Sequence, residues 1–348
     1  MKVGRLGAPG RVVLTEADVP VAGPGELVVR MAACGICGTD LEKVRGGYSR
    51  STTLGHEPVG IVESVGPGVR EPKVGDRVFV HHHVPCYQCS VCERGEFPFC
   101  PEYARTNLDP GGFAERFRVS RAHVERGAVL RLDDSVGWEI GTLLEPAGCA
   151  LTALHRVGFA EGQSVFLVGL GPVGLLYGRL ARALGARWIG GAEISERRRA
   201  AAEAGGFDAT VDPRDPAEVR RSVDSATRGE GVDLAVVAAS AAAATRLAFG
   251  QVRRGGTVNL FGVPVPESRL EEPLQSLYLR GVRIIPAYAT TDPEIRAVQE
   301  MVAAGRLRLD GLVSDRFPLA EIGSAFDRAA RPSESLRVVV TGPGYGSG

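Results

Sequence analysis

Residues 164–174 constrain the fold more tightly than any other stretch of the chain. Ser164-Val165-Phe166-Leu167-Val168 reads as a buried strand, because a short unbroken apolar run bounded by turn residues has no solvent face. It runs directly into Gly169-Leu170-Gly171-Pro172-Val173-Gly174, followed by a helical pattern over 175–184. In that strand–turn–helix setting, G-x-G-x-x-G lets the backbone approach a pyrophosphate whose charge meets the helix N-terminus. Glu193 lies 19 residues past Gly174, at the end of the next strand (188–193), where an acid bonds the hydroxyls of an adenosine ribose.

Downstream the pattern alternates. Residues 197–204, 216–228 and 241–249 read as helices, and 209–211, 233–237, 256–261 and 282–285 as strands. That alternation predicts a doubly wound parallel sheet. Upstream, short β-type runs such as Val12-Val13-Leu14, Leu27-Val28-Val29 and Val59-Gly60-Ile61-Val62 are broken by Gly23-Pro24-Gly25 and Gly66-Pro67-Gly68. These predict a small barrel-like or irregular β domain. At 348 residues, two domains are expected. The reading is an α/β chain divided as a β-rich domain over 1–148, the dinucleotide domain over 149–287, and a return to the first domain over 288–348. In the return, 293–304 and 319–330 read as helices, the strand 336–340 rejoins the first sheet, and 342–348 is a loose tail.

Two groups of residues carry metal chemistry. Cys37, His56 and Glu57 offer a thiolate, an imidazole and a carboxylate, the ligand types of a catalytic zinc. Thr39 carries a hydroxyl suited to relaying a proton, and Asp40 is suited to fixing a histidine tautomer. Cys86, Cys89, Cys92 and Cys100 crowd four thiols into one loop. A closed four-thiolate zinc site, structural in role, explains that spacing. Glu145 stands inside an apolar run ahead of Pro146 and a helical pattern over 150–157. A buried carboxylate there calls for a metal or its water. His81-His82-His83 reads as a strand segment whose alternating side chains do not converge.

Lys plus Arg equals Asp plus Glu, 41 against 41, which excludes a basic nucleic-acid or membrane surface. No stretch approaches the ~20 apolar residues of a membrane span. Seven cysteines, four of them bunched, suit a reducing compartment, and a cytoplasmic location is the expectation. The rival of another class is a zinc-ribbon binding protein with a dinucleotide-sensing domain.

Cys37-Gly38-Thr39-Asp40, Gly55-His56-Glu57, the four clustered cysteines, Gly112-Phe113-Ala114-Glu115 and Gly169 to Gly174 with Glu193 together resemble the zinc-dependent medium-chain dehydrogenases. The likeness is strongest to the sorbitol, threonine and glucose dehydrogenase branch. It implies a Rossmann domain beside a GroES-like catalytic domain, two zinc ions per chain, and NAD, with NADP possible. Catalytic-zinc ligands implied are Cys37, His56, Glu57 and Glu145, the last directly or through water, with Thr39 as proton relay. Implied cofactor contacts are Gly169, Gly171, Pro172, Val173, Gly174, Glu193, Arg198, Phe261, Gly262 and Val263. Gly38 and Glu42 stand where some relatives carry a basic residue and a relay histidine. Implied chemistry is hydride transfer between NAD and a secondary alcohol of a polyol, sugar or cyclitol, with a threonine-type amino alcohol as the alternative. Pocket candidates are Glu42, His82, Asn107 and Glu115. A dimer or tetramer is implied.

Overall fold

In the first part of the chain, glycines and prolines interrupt the β-branched runs, and most strands are correspondingly short. A computed structural model describes residues 1–7, 10–46, 53–265, 268–331 and 333–347. Its strands begin with β1 (Lys2–Leu6), β2 (Val12–Glu16), β3 (Leu27–Gly35), β4 (Pro58–Val65), β5 (Arg77–Val80), β6 (Arg116–Val119) and β7 (Val129–Arg131). β1 and β2 form an antiparallel ribbon. β3, nine residues long and almost wholly buried, is the axis of the larger sheet. A helix, Gly38–Arg45, follows it immediately.

Then come β8 (Ser164–Val168), β9 (Trp188–Ala192), β10 (Ala209–Val211), β11 (Val232–Val237), β12 (Val252–Leu260) and β13 (Arg283–Pro286). They form a parallel sheet in the order β10-β9-β8-β11-β12-β13, the doubly wound arrangement that the alternation predicts. The strand order reverses beside β8, and Gly169 follows at that switch point. The helix after the glycines spans Pro172–Ala183, three residues earlier than expected, because proline at its start needs no N–H donor. A Cβ on Gly174 would meet the Gly169 carbonyl oxygen at 2.2 Å, so glycine alone lets this first turn sit on the strand end.

β14 (Val313–Pro318) and β15 (Arg337–Thr341) complete the first sheet, in the order β14-β15-β3-β4-β5-β7 with β6 also on β3. β15 lies antiparallel to β3, Val339 facing Gly35. The chain divides into one unit of Met1–Glu145, Thr290–Ala304 and Val313–Gly348, and another of Pro146–Ala289 and Gly305–Leu312. Residues 305–312, which the sequence reading assigns to the first domain, thus belong to the second. Among the described residues no helix is long and apolar enough to cross a membrane.

Two further expectations are corrected, and one element was not foreseen. The helix after Leu143 begins at Leu144, not near residue 150, so Glu145 and Pro146 fall in its first turn, where proline is tolerated. The end of the chain is docked: Gly342 and Gly344 donate to the Ala32 and Met31 carbonyls at 2.8 and 2.9 Å, and the Tyr345 hydroxyl donates to Glu139 at 2.7 Å. The helix Leu274–Arg280, with Leu274, Tyr278 and Leu279 exposed and Leu277 packed against the core of its unit, is an element that the sequence reading does not contain.

Each unit has its own core. Leu27, Val29, Met31, Phe113, Phe117 and Val340 pack in the first, and Phe166, Val219, Val223, Ala235, Val237 and Phe249 in the second. In the second unit Asp233 ties β11 to β8, accepting from the Ser164 amide and hydroxyl at 2.8 Å each and from Arg253 at 2.7 Å. Burial works against its charge, but the Ser164 amide and the Arg253 guanidinium outweigh it and hold the carboxyl at about 2. The folded value lies below the unfolded one of about 4, so this stabilisation is complete above pH ~4 and is lost as pH falls towards 2. Asp233→Asn is therefore expected to narrow its stability deficit against wild type across that window, read by denaturant unfolding at a series of pH values.

Candidate active site

β3 ends at Gly35, and two residues later Cys37 caps the helix Gly38–Arg45. Asp40, three residues into that cap, accepts from the Cys37 amide at 3.1 Å and from the Gly55 amide at 3.1 Å. One side chain thus ties together the segments that bring Cys37 and His56. The same carboxylate reaches His56 Nδ1 at 3.4 Å, which turns Nε2 towards Glu57 Oε1, 4.0 Å away. Donor atoms of Cys37, His56 and Glu57 all lie within 4.8 Å of one another. Thr39 Oγ1 is 3.8 Å from Cys37 Sγ.

The electrostatics favour a cation. Asp40 and Glu57 are fully buried, and His56 is 8% exposed. Burial disfavours the charged His56 ring, but Asp40 and Cys37 outweigh it and raise its pKa well above the usual range. Burial likewise opposes the Cys37 thiolate, but His56 and Arg337 lower its pKa. Asp40 is held low against burial by His56 and by the Gly55 and Cys37 amides. A thiolate and an imidazole sharing a proton are the pair that a divalent cation takes over by displacing that proton. Glu57 Oε1 is buried with no hydrogen-bond partner among the described residues, as an oxygen awaiting a metal would be. Glu57 is countered by Arg337 of β15, itself 2% exposed. A Cβ on Gly35 would lie 2.1 Å from Glu57 Oε2 and 2.7 Å from Arg337 Nη2, so the pair occupies the space that a side chain would take.

The four-cysteine loop fits zinc on geometry alone. Sulfur separations are 3.9 Å for Cys86–Cys92, 3.6 Å for Cys89–Cys92, 3.9 Å for Cys89–Cys100 and 3.5 Å for Cys86–Cys100. A tetrahedron with Zn–S bonds of ~2.3 Å has edges of about 3.8 Å. None of these cysteines is in a disulfide.

Glu145, 7% exposed, groups with His81 and His82, their donor atoms within 4.8 Å of one another, and its charge also acts on Cys37. The expectation that the three histidines do not converge is corrected for His81 and His82 alone, since His83 Nδ1 meets the Thr106 carbonyl. β5 ends at Val80, so strand alternation stops before them; His81–His82 and His82–His83 rings lie 5.4 and 4.1 Å apart, and His82 is 5.0 Å from His56. Other pocket candidates are engaged elsewhere. Glu42 pairs with Arg45 at 2.7 Å, Glu115 accepts from the Lys2 amide at 2.9 Å, and Asn107 Oδ1 accepts from the Leu108 amide at 2.8 Å. Sequence reasoning missed Arg337 and Asp292, which meet their partners only through chain return.

In the second unit Glu193 accepts from the Leu170 amide at 2.9 Å and the Ser195 amide at 3.0 Å, and Arg198 stands 3.8 Å from it. The acid is thereby fixed against the glycine turn. Arg198 also flanks Gly171, and Arg199 is taken up by the Glu193 and Ile194 carbonyls at 2.7 and 2.9 Å. Phe261 and Gly262 follow β12, bonded to the Val237 carbonyl at 3.1 and 2.7 Å, and Val263 beyond them is 50% exposed.

Residues 23–129 match the alcohol dehydrogenase GroES-like domain, and residues 172–304 match the zinc-binding dehydrogenase family. The chain is 30% identical over 353 residues to sorbitol dehydrogenase of Bacillus subtilis (strain 168), spanning 98% of this chain and 97% of that protein. It is 30% identical over 339 residues to L-threonine 3-dehydrogenase of Pyrococcus abyssi, spanning 94% and 93%. A zinc-binding dehydrogenase target of Sinorhizobium meliloti 1021, solved bound to NADP, superposes with a TM-score of 0.85 at 28% identity, spanning 98% of each chain. A Rossmann sheet and a GroES-like unit in one chain define a medium-chain dehydrogenase. This chain belongs to the zinc-dependent medium-chain alcohol dehydrogenase family, whose chemistry uses zinc and NAD(P).

The buried ion pair is open to a stability test. Arg337→Met leaves the Glu57 carboxylate uncompensated and is expected to cost ~3–5 kcal/mol in denaturant unfolding. Glu57→Gln added to it is expected to recover part of that loss.

Proposed function

We propose that this chain exchanges a hydride between NAD and the secondary alcohol of a polyol, sugar or cyclitol. The convergence of Cys37, His56 and Glu57, in a chain that also carries a glycine turn with its fixed acid, is the observation behind this reading. Cys37, His56 and Glu57 hold a catalytic zinc, and Glu145 faces it directly or through water. Cys86, Cys89, Cys92 and Cys100 hold a second, structural zinc, for two per chain. A bound zinc supplies Lewis acidity that favours alkoxide over alcohol. Thr39 carries the released proton outward, while Asp40 keeps His56 in the tautomer that presents Nε2. NAD, if held at the glycine turn, would supply the acceptor for the hydride of the carbinol carbon, which would become a ketone carbon. Gly169, Gly171, Pro172, Val173 and Gly174 receive the pyrophosphate, with Phe261, Gly262 and Val263 beside the dinucleotide.

The sorbitol dehydrogenase likeness supports a polyol, and the threonine dehydrogenase likeness supports an amino alcohol as the second reading. A panel of polyols, aldoses, cyclitols, threonine and simple alcohols with NAD decides between them. Turnover of polyols is expected to dominate, and turnover of long apolar alcohols alone would refute it. Cys37→Ala with His56→Ala is expected to lower kcat/KM by at least ~1,000-fold while the fold persists.

Glu193 favours NAD, because a carboxylate beside the ribose repels a 2′-phosphate. Steady-state kinetics with each cofactor are expected to give the higher kcat/KM with NAD, and Glu193→Ala to narrow the difference. Outward apolar residues Leu274, Tyr278 and Leu279, 79%, 85% and 63% exposed, support a homo-oligomer, dimer or tetramer. The free thiols support a cytoplasmic setting.

A further inference from the structure

We propose that His81, His82 and Glu145 form a subsite that takes the hydroxyl next to the reacting carbinol, selecting vicinal diols. The inference rests on the dehydrogenase reading above. His81 Nδ1 lies 3.2 Å from Asp292 Oδ1, and the Tyr87 hydroxyl donates to Asp292 Oδ2 at 2.6 Å. The tyrosine secures Asp292 as an acceptor for the His81 Nδ1 proton, which leaves Nε2 as the ring's remaining polar atom. That Nε2 is buried with no hydrogen-bond partner among the described residues, on a side chain with no exposure. His82 Nδ1 is also buried without a partner. One ring nitrogen of each histidine and a Glu145 carboxylate oxygen lie within 4.8 Å of one another, and His82 sits 5.0 Å from the His56 ring.

Two ring nitrogens left unpaired in a buried place are costly, so a polar group that enters there gains what water would otherwise give. A hydroxyl suits the set because it donates and accepts at once, with His82 in the tautomer that carries its proton on Nδ1. Donation to Glu145 or His81 and acceptance from His82 then orient one hydroxyl. The adjacency of His82 to His56 places that hydroxyl on the carbon beside the one that reacts. A simple alcohol presents hydrogen or methyl there and leaves the nitrogens unpaired, so its transition state is held less well.

The test compares kcat/KM for butane-2,3-diol and butan-2-ol, with NAD, in wild type and His82→Phe. Zinc per chain is measured in both proteins. Wild type is expected to prefer the diol. His82→Phe is expected to lower the diol-to-alcohol ratio roughly 10- to 100-fold, mainly through KM, at unaltered zinc content. An unaltered ratio overturns the proposal, and so does loss of a zinc, which would make His82 a metal ligand. If the variant does not fold, wild type with 3-methoxybutan-2-ol replaces it. The ether lacks the donor, and a similar drop supports the subsite, whereas turnover equal to the diol overturns it. No NAD reduction with any of these alcohols would sink the dehydrogenase reading and the subsite with it.

Discussion

The Glu57 carboxylate has no contact with water, and its charge is met by Arg337, a guanidinium 280 residues further along the chain. That pairing exists because β15 returns to lie antiparallel on β3. Around it the first unit is arranged to hold charge in a dry place. Gly35 makes room for the pair, Asp40 braces the Cys37 and Gly55 segments, and His56 is turned by Asp40 towards Glu57. A single buried ion pair is weak evidence of stability, since desolvation offsets much of its attraction. Here its consequence is positional. A carboxylate is held beside a thiol and an imidazole, the donor set that a cation site requires.

A second carboxylate–histidine pairing repeats the device nearby. Asp292 orients His81 as Asp40 orients His56, and both acids have their pKa values lowered against burial by those rings. In the dinucleotide unit Glu193 plays a comparable part: two backbone amides hold it at the glycine turn. Each site rests on a carboxylate whose position is set by backbone or by a second side chain, so no flexible group is left to find its place at the moment of binding.

Much of this was legible in the residues. Gly169 to Gly174 after an unbroken apolar strand permitted one reading, because that combination serves a single geometry. The cysteines at 86, 89, 92 and 100 were legible for a similar reason: their spacing is local, and a short loop brings them together whatever surrounds it. Element existence was read better than element ends. The helix at Leu144 and the helix at Pro172 both start earlier than the apolar pattern suggests, because proline is accommodated in a first turn. His81 and His82 were misjudged because alternation was applied past the point where β5 stops.

The chain by itself determined what is carried by neighbours in sequence: the parallel sheet, the glycine turn after its strand, the four-cysteine loop and the thiol, imidazole and carboxylate at positions 37, 56 and 57. Tertiary structure alone decided what depends on distant segments meeting. It set Arg337 against Glu57, Asp292 against His81, and Glu145 beside His81 and His82. It also docked the last residues, through Gly342 and Gly344 on β3 and Tyr345 on Glu139. The physical reason is range. Backbone geometry and local spacing act over a few residues and leave a pattern. A charge buried against a partner hundreds of residues away leaves none until the strands pair.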